Sequence, residues 1–215
     1  MDIINNQAKL LTIIQENEWD FGNKILYDLC SNYPDHKEVE VVIAKMLFIG
    51  RIYAAAIERR KTKSDINDDF YIDKVAPTLI NSELDSKLHS LSNSALEEEK
   101  ILDMLVVHKY LSDLFNTLTG LDKRSLSSKY LHFHKPLLFF IYDSRAVSGL
   151  RTFISRVPPK YKQVLASKDI DIEYGKFFVK AYSVKTEIEE KLSKDLTPRQ
   201  FDKILINIAN KNLSA

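Results

Sequence analysis

The sequence predicts an all-α protein. Glycine is scarce, with 5 residues in 215, and the alternating apolar and polar segments typical of strands are few. Apolar residues instead recur at helical spacing along most of the chain, and helix start and stop signals separate the periodic segments. We therefore expect a compact helical body, either a single domain over residues 1–215 or two interlocked helical subdomains with a cleft between them.

The N-terminal half is predicted to contain three helices, followed by a polar loop and a short apolar segment. The third helix is dense in Val, Ile, Leu and Ala and is expected to be buried. Pro77 interrupts the short segment, because proline lacks the amide that a helix interior needs. The predicted elements are the helices Ile3–Glu16, Trp19–Asn32 and His36–Arg60, the loop Lys61–Asp69 and the segment Ile72–Ile80.

The second half begins with a capping box, Ser94-x-x-Glu97, in which two side chains satisfy amides at a helix start. The helix that follows should run to Gly120, since glycine readily adopts the left-handed conformation that ends helices. The later predicted helices are Arg124–His134 before Pro136, Asp143 to about Arg156 before Pro158, Ile172–Leu192, and one with Thr197 as N-cap and Pro198 in its first turn.

Several classes of protein are excluded by composition. The five glycines lie too far apart for a dinucleotide or phosphate cradle, and the single Cys30 excludes an internal disulfide and a cysteine-rich zinc site. No apolar run approaches the length of a membrane span, so we expect no membrane partner. The start MDIINNQ lacks the basic segment of a signal peptide, and a cytoplasmic location is therefore expected.

Positive charge is concentrated in one part of the chain. Between Leu121 and Gln163 there are nine lysines and arginines against two aspartates, a net charge of +7, whereas the whole chain carries only +1. Such asymmetry is typical of a surface that binds a polyanion. The alternative is a solvated face with scattered charges.

The segment from Leu118 to Asp143 carries the most informative motif. It reads as a helix, a turn containing Gly120, a second helix, a break at Pro136, an apolar run and an aspartate that heads a third helix. Over residues 100–156 this pattern resembles the helix-hairpin-helix (HhH-GPD) superfamily of DNA glycosylases. That superfamily has a hairpin of the form L-P-G-h-G and an aspartate some twenty residues later. Thr119 and Asp122 replace the proline and the second glycine, so the likeness is to a divergent member.

The resemblance implies an enzyme that flips a damaged or modified base out of double-stranded DNA and hydrolyses its N-glycosidic bond. Asp143 would be the catalytic carboxylate, stabilising the positive charge that develops on the sugar. Ser125 stands 18 positions earlier, where bifunctional members carry lysine, so the protein resembles the monofunctional members. The resemblance requires no metal and no organic cofactor.

Further residues are expected to contact DNA. The turn and the basic residues around it would hold phosphates, and two tyrosines could stack on a flipped base. His132 and His134 are two apart on a helix, so their rings diverge and a shared metal is not expected. The candidate DNA-binding residues are Gly120, Lys123, Arg124, Lys129, Arg145 and Arg151, and the candidate stacking residues are Tyr130 and Tyr142.

Alternative interpretations remain at four points. Asp143 could act only as the N-cap of its helix, and the tyrosines could belong to the core. Lys123 or Lys129 could supply the amine that Ser125 lacks. The whole chain could be a catalytically inactive helical module that binds DNA or a protein through the same basic segment, for example in genome defence.

Overall fold

The computed structural model describes residues 6–59, 69–91 and 94–213. Those residues contain eleven α-helices and no β-strand, which confirms the predicted all-α class. The predicted helix start at Ile3 lies outside the described residues. So does the predicted loop Lys61–Asp69, apart from Asp69. The helices are α1 (Gln7–Ile13), α2 (Glu18–Asn32), α3 (Val39–Ile52), α4 (Ala76–Ile80), α5 (Leu84–Ser90), α6 (Ile101–Thr119), α7 (Arg124–His134), α8 (Ser144–Phe153), α9 (Lys162–Leu165), α10 (Ile172–Leu192) and α11 (Pro198–Leu213).

Helix α3 ends at Ile52, well before its predicted end. The chain turns back here, because Ala54 adopts a left-handed conformation with φ of 51° and the Ala55 amide donates to the Gly50 carbonyl over 2.7 Å. A Cβ on residue 50 would lie 3.0 Å from the Cα of Ala56, so glycine makes room for the turn. Apolar residues continue through the turn, which is why periodicity alone overextends this helix.

Helix α6 begins at Ile101, so the capping box predicted at Ser94 and Glu97 is wrong. A 3₁₀ turn over Glu98–Lys100 precedes the helix, and none of its residues is buried. The buried apolar stripe starts only at Ile101, and packing of that stripe sets the first turn. The predicted end is confirmed, since Gly120 closes the helix with φ of 64°.

A helix, an extended link and a second helix follow Gly120, as the motif predicts. Helix α7 spans Arg124–His134, and residues 135–143 contain neither a regular helix nor a strand. Helix α8 then begins with Asp143 as its N-cap. It ends at Phe153, slightly before its predicted end.

Helix α8 lies directly against α11. At their closest approach a Cβ on Gly149 would lie only 2.2 Å from the carbonyl oxygen of Leu205, so no larger residue fits without moving a helix. Helix α11 begins as predicted, with Thr197 as its cap: the Gln200 amide donates to its hydroxyl over 3.1 Å, and the Gln200 side chain accepts from its amide over 2.9 Å. The contact at Gly149 brings the start of α8 beside α11.

The buried apolar side chains of the described residues form a contiguous cluster that includes side chains of helices from α1 to α11. Aromatic rings fill its centre, with Phe140 packed edge-to-face against Phe178 and Phe201 at centroid distances of 5.0 and 5.8 Å. Among the described residues, no helix combines the length and apolar character that a membrane-spanning segment needs.

Candidate active site

A cavity of about 450 Å³ opens at the N-terminus of α8. Its walls come from the start of α2, the end of α3, the first turn of α8 and one face of α11. Apolar, aromatic, amide and charged side chains all contribute to the lining, a mixture typical of sites for small polar ligands. Prominent members of the wall are Trp19, Tyr53, Asp143, Arg145, Asp202 and Asn207.

The structure places Asp143 in the wall of this cavity. Its Oδ1 accepts a hydrogen bond from the Ala146 amide over 2.9 Å, which caps α8 and fixes the orientation of the carboxylate. Its Oδ2 lies 3.8 Å from Nζ of Lys129. The side chain is 23% exposed, so the carboxylate is both held by the protein and accessible from the cavity. Asp143 is therefore a helix cap that also faces a cavity.

The link before Asp143 is held by side chains from α7 and α10. The Tyr142 amide donates to the hydroxyl of Ser128 over 3.0 Å, and the hydroxyl of Tyr174 donates to the Phe140 carbonyl over 2.9 Å. Nδ1 of His132 lies 2.8 Å from the Phe139 carbonyl oxygen, which can only accept, so the ring donates there. These three contacts position the aspartate that follows the link.

Lys129 lies between Asp143 and Ser125. Its ammonium donates to the Ser125 hydroxyl over 3.0 Å and to the Tyr53 carbonyl over 3.2 Å, and its side chain is only 4% exposed. Burial lowers the pKa of this amine, and the Asp143 carboxylate opposes that shift. An amine therefore lies beside Ser125, and it belongs to Lys129, one of the two lysines that the alternative interpretation named.

Ser125 itself lines a second, smaller cavity of about 300 Å³, together with Lys123 and the turn before α7. The two cavities share Ala54 in their walls. The predicted pair, Ser125 and Asp143, is thus bridged by Lys129, although the two side chains face adjoining cavities.

Asp202 on α11 is a second carboxyl group in the wall of the larger cavity, and sequence reasoning missed it. Its Oδ2 accepts from the guanidinium of Arg199 over 2.8 Å, and the residue is 4% exposed. Burial raises the pKa of Asp202 to about 6, the negative charge of Asp143 adds to the rise, and Arg199 opposes it. The cavity therefore holds two carboxyl groups in different environments.

Some polar side chains that line this cavity have buried atoms without a hydrogen-bond partner. Among the residues that the structure describes, three of those lining the cavity each contain a buried polar atom without a hydrogen-bond partner, namely Nδ2 of Asn23, Oδ1 of Asp202 and Oδ1 of Asn207. Buried polar atoms normally have partners. For Asp202 and Asn207 the sequence signal is the polar face that they and Asn210 give to α11, a helix predicted from its caps alone. Asn23 lies on α2 and has no such signal.

The predicted DNA-binding residues occupy different environments. Gly120 ends α6, and Lys123 beside it donates to the Arg59 carbonyl over 2.8 Å. The guanidinium of Arg124 is 2.6 Å from Asp122 and 2.7 Å from Asp171, so two carboxylates already neutralise it.

The remaining basic candidates divide into one buried and two exposed side chains. Lys129 belongs to the site described above and is too buried to be a surface contact. Arg145 and Arg151 on α8 are exposed, and Arg145 also lines the larger cavity. Of these residues, Arg145 and Arg151 on α8 therefore carry the exposed positive charge, whereas Arg124 is paired with two aspartates.

The two candidate stacking residues are packed against protein. Tyr130 is fully buried, and its hydroxyl lies 2.7 Å from Nε2 of His36. Tyr142 packs edge-to-face on Phe177 at 5.1 Å, with the guanidinium of Arg124 on its ring at 5.7 Å. The expectation that Tyr130 stacks on a base is corrected, because its ring belongs to the core. The aromatic rings at the larger cavity are those of Trp19 and Tyr53.

Metal ligation finds no support in the described part of the chain, which holds no group of three or more His, Cys, Asp or Glu residues arranged around a metal position. The His132 ring lies between the Phe139 carbonyl and the Tyr27 hydroxyl. The His134 ring instead stacks on His36 at 5.0 Å. The two histidines thus have separate partners.

Comparisons of the chain with models of protein families, with curated proteins and with solved structures find no match. The site therefore has to be interpreted from its own geometry and chemistry.

Proposed function

We propose that the protein is a monofunctional DNA glycosylase, which hydrolyses the N-glycosidic bond of a damaged or modified base flipped out of double-stranded DNA. The observation that carries this proposal is the position of Asp143, a capped carboxylate in the wall of a cavity of about 450 Å³. Cavities of this size accept small organic ligands, and enzymes that act on a DNA base need a pocket to receive it.

The reaction requires a fixed negative charge close to the sugar. When the bond between C1′ and the base nitrogen breaks, its electron pair leaves with the base and positive charge develops on the sugar. The Asp143 carboxylate stabilises that charge, and it need not reorganise because Ala146 holds one of its oxygens. Water then adds to C1′ and loses a proton, for which the second oxygen of Asp143 is the nearest base in this proposal.

Lys129 supports hydrolysis rather than covalent catalysis. A Schiff base requires a neutral amine that reaches C1′. The Lys129 ammonium instead has three acceptors around it, in Tyr53, Ser125 and Asp143, and its side chain is almost fully buried. Its role in this proposal is to hold the Asp143 carboxylate in place through the attraction between the two charges.

Exposed positive charge on α8 supports DNA as the partner. Arg145 and Arg151 lie on the same helix as the carboxylate cap and are solvent-exposed, so phosphates can approach them while a nucleotide enters the cavity. Contacts of this kind position the protein on DNA without reading its sequence. Arg124 contributes less than its place in the motif suggests, because Asp122 and Asp171 neutralise it.

Asp143→Asn tests the proposal. Asparagine caps helices well, so the variant should fold and bind duplex DNA like the parent. It removes the negative charge, and base release should therefore fall by a factor of roughly a hundred or more. The measurement is base release from oligonucleotides carrying uracil or oxidised, alkylated and hydroxymethylated bases, with alkali to reveal abasic sites.

Asp171→Asn is the matched control. Asp171 also caps a helix, through the Tyr174 amide at 3.0 Å, and also pairs with a basic residue, Arg124, but it lies outside the wall of the cavity. Base release should survive this change.

If the Asp143→Asn variant released bases as fast as the parent, Asp143 would serve only as the N-cap of α8. A parent that binds DNA yet releases none of the bases tested would favour the inactive DNA-binding module. A borohydride-trapped adduct of the unmodified protein would make Lys129 a nucleophile and contradict the monofunctional assignment.

A further inference from the structure

The exposed face of α8 is basic and carries no acidic residue. Its members recur at spacings of three and four residues, which places them on one side of the helix. They are Ser144, Arg145, Ser148, Arg151 and Thr152. The sequence around them continues the pattern, since residues 144–168 contain six basic residues and no acid. Guanidinium and hydroxyl groups both donate hydrogen bonds to DNA phosphates, so the composition of this face suits a phosphate backbone.

The protein does not neutralise the positive charge of this face. Within the described ranges neither Arg145 nor Arg151 forms a salt bridge, in contrast to the two that Arg124 forms with aspartates. Burial and the positive charge of Arg151 lower the pKa of Lys180 on α10, so a third cation lies near the far end of the face. Glu173 on α10 also acts on Lys180, but it has a lysine partner of its own at 2.7 Å. Such a concentration of positive charge favours a polyanion.

The start of α2, another part of the cavity wall, carries charge of the opposite sign. Trp19 lines the cavity there, and the exposed Glu16 and Glu18 lie close to it in sequence. The salt bridges that the described acids of α2 form involve Asp20 and Asp28 instead, so the two glutamates keep their negative charge unpaired. A phosphate backbone that leaves the cavity is therefore attracted along α8 and repelled along the start of α2.

Helix α8 begins at the cavity and runs away from it. Asp143 and Arg145 line the cavity, and Arg151 lies six residues further along the helix than Arg145. A helix rises 1.5 Å per residue, so the two arginines are separated by about 9 Å along its axis. Successive phosphates of one DNA strand are spaced about 3.4 Å apart along the duplex axis. The face can therefore reach two or three successive phosphates on the same side of a nucleotide held in the cavity.

We propose that the exposed face of α8 binds two or three successive phosphates of the target strand, all on one side of the nucleotide that enters the cavity. This proposal rests on the glycosylase function, because the nucleotide in the cavity defines where the contacts begin. The two arginines neutralise phosphates, and the hydroxyls of Ser144 and Ser148 add hydrogen bonds. On the other side of the target nucleotide, the strand makes no contact with α8.

Duplexes with single uncharged phosphates measure which phosphates the protein binds. The probe is a fluorescein-labelled duplex with one tetrahydrofuran residue, an abasic-site analogue that requires no particular base in the cavity. Methylphosphonates, which are uncharged, replace the phosphates of that strand one at a time, and anisotropy titrations of the intact protein give Kd. We expect two or three adjacent replacements on one side of the tetrahydrofuran each to weaken binding by about threefold to tenfold. Absence of binding to this duplex, or of such a run on either side, would overturn the proposal.

The double variant Arg145→Gln/Arg151→Gln connects those phosphates to α8. It should lose the sensitivity to methylphosphonates on one side of the tetrahydrofuran and keep the parent's response on the other side. The slope of log Kd against log salt concentration should also flatten by about two units. Loss of sensitivity on both sides, or on neither, contradicts the proposal.

Lys162→Gln is the matched control for the double variant. Lys162 is an exposed lysine of the same basic stretch, but it lies on α9 and not on α8. The one-sided pattern of the parent should persist in this variant. Its disappearance would show that the pattern depends on the net charge of the protein, which contradicts a contact with α8.

Ser148→Asp tests the face without removing an arginine. It places a negative charge between the two arginines and should weaken binding of the tetrahydrofuran duplex by about tenfold. Gln163→Asp introduces the same charge at an exposed position of α9 and should change Kd by less than about twofold. Both residues are exposed, so both variants should keep the far-ultraviolet circular dichroism of the parent. Equal weakening by the two changes would contradict the proposal.

The glycosylase proposal and this proposal fail separately. One-sided phosphate contacts without base release from any DNA substrate would leave the contacts of α8 standing and remove the enzyme assignment. Base release by a protein whose DNA binding does not depend on the face of α8 would have the opposite meaning.

Discussion

Asp143 and Asp202 face one cavity from different helices, and their surroundings give them different chemistry. Asp143 is partly exposed, accepts an amide hydrogen bond and has Lys129 nearby. Asp202 is buried, and the guanidinium of Arg199 compensates the negative charge of its carboxylate. The two sites also interact, because Asp143 raises the pKa of Asp202 whereas Lys129 lowers it.

The pKa of Asp202 should respond to its two neighbours with opposite signs. In the parent, the carboxyl carbon of Asp202 should titrate in an NMR experiment with a midpoint near pH 6. Asp143→Asn removes a negative charge and should lower the midpoint, whereas Lys129→Met removes a positive charge and should raise it. Shifts of the same sign in both variants would show that Asp202 responds to altered packing and not to these charges.

At the scale of helices, the contact between α8 and α11 determines where Asp143 lies. Gly149 allows the backbones of the two helices to meet, and its position six residues after Asp143 couples that contact to the cavity. This contact leaves no room for a larger residue at position 149, because the backbone carbonyl of Leu205 cannot rotate away as a side chain can.

Gly149→Ala should destabilise the protein by about 3 kcal/mol, since its methyl group would overlap the Leu205 carbonyl and force the helices apart. Gly22→Ala is the matched control. A Cβ on Gly22 meets nothing within 4 Å, and alanine in an exposed helix should stabilise by about 0.5–1 kcal/mol. Urea unfolding of both variants measures the two effects. Equal stability of Gly149→Ala and the parent would mean that α8 and α11 adjust freely.

The helices differ in how far the sequence could predict them. Helix α10 begins and ends as predicted, and α7 does so too. The predicted end of α3 and the predicted start of α6 are wrong, since the left-handed Ala54 and the burial boundary at Ile101 leave no local signal in the sequence. Long-range packing decides such boundaries, and local patterns do not record it.

The candidate site was predictable only where it belongs to the motif. The motif identifies Asp143 as the candidate carboxylate, and the start of a helix directly after it also predicts its capping role. The motif predicts a DNA contact for Lys129, since nothing in its spacing shows that the helix buries it against Tyr53 and Asp143. Asn23 and Asp202 come from opposite ends of the chain, and only the tertiary structure brings them to one cavity.

Buried histidines link the stability of the whole molecule to pH. Burial lowers the pKa of His108 to about 3 and that of His132 to about 4, and it places the pKa of His134 well below its usual value. These rings are neutral in the folded protein at pH 5, whereas the same side chains in the unfolded chain take up protons below about pH 6.5. Asp202 acts in the opposite direction, because its raised pKa lets the folded state hold an extra proton between about pH 4 and 6.

The free energy of unfolding should therefore be nearly constant above about pH 7.5 and fall as the pH is lowered through about 6.5. Near pH 5 these four groups together bind about two more protons in the unfolded chain than in the folded protein, three from the histidines less one for Asp202, which corresponds to a loss of about 3 kcal/mol per pH unit. Burial also lowers the pKa of His36, which adds to this loss. Urea unfolding at pH 8, 7, 6 and 5 measures this slope. Asp202→Asn should make the fall steeper. A flat profile would show that the histidines titrate normally.

His132 fixes which residue of the link before Asp143 lies against α7, and packing of shapes alone would not do so. Its Nε2 accepts from the Tyr27 hydroxyl over 2.7 Å, and its Nδ1 donates to the Phe139 carbonyl over 2.8 Å. A leucine or phenylalanine of similar volume could form no hydrogen bond with the link. The Nδ1–H group of the imidazole instead requires a hydrogen-bond acceptor, which the Phe139 carbonyl supplies. If the link shifted by one residue, an amide N–H or a side chain would lie there in place of the carbonyl. Together with the contacts of Ser128 and Tyr174, that requirement decides which residue lies at the start of α8, and hence that it is an aspartate.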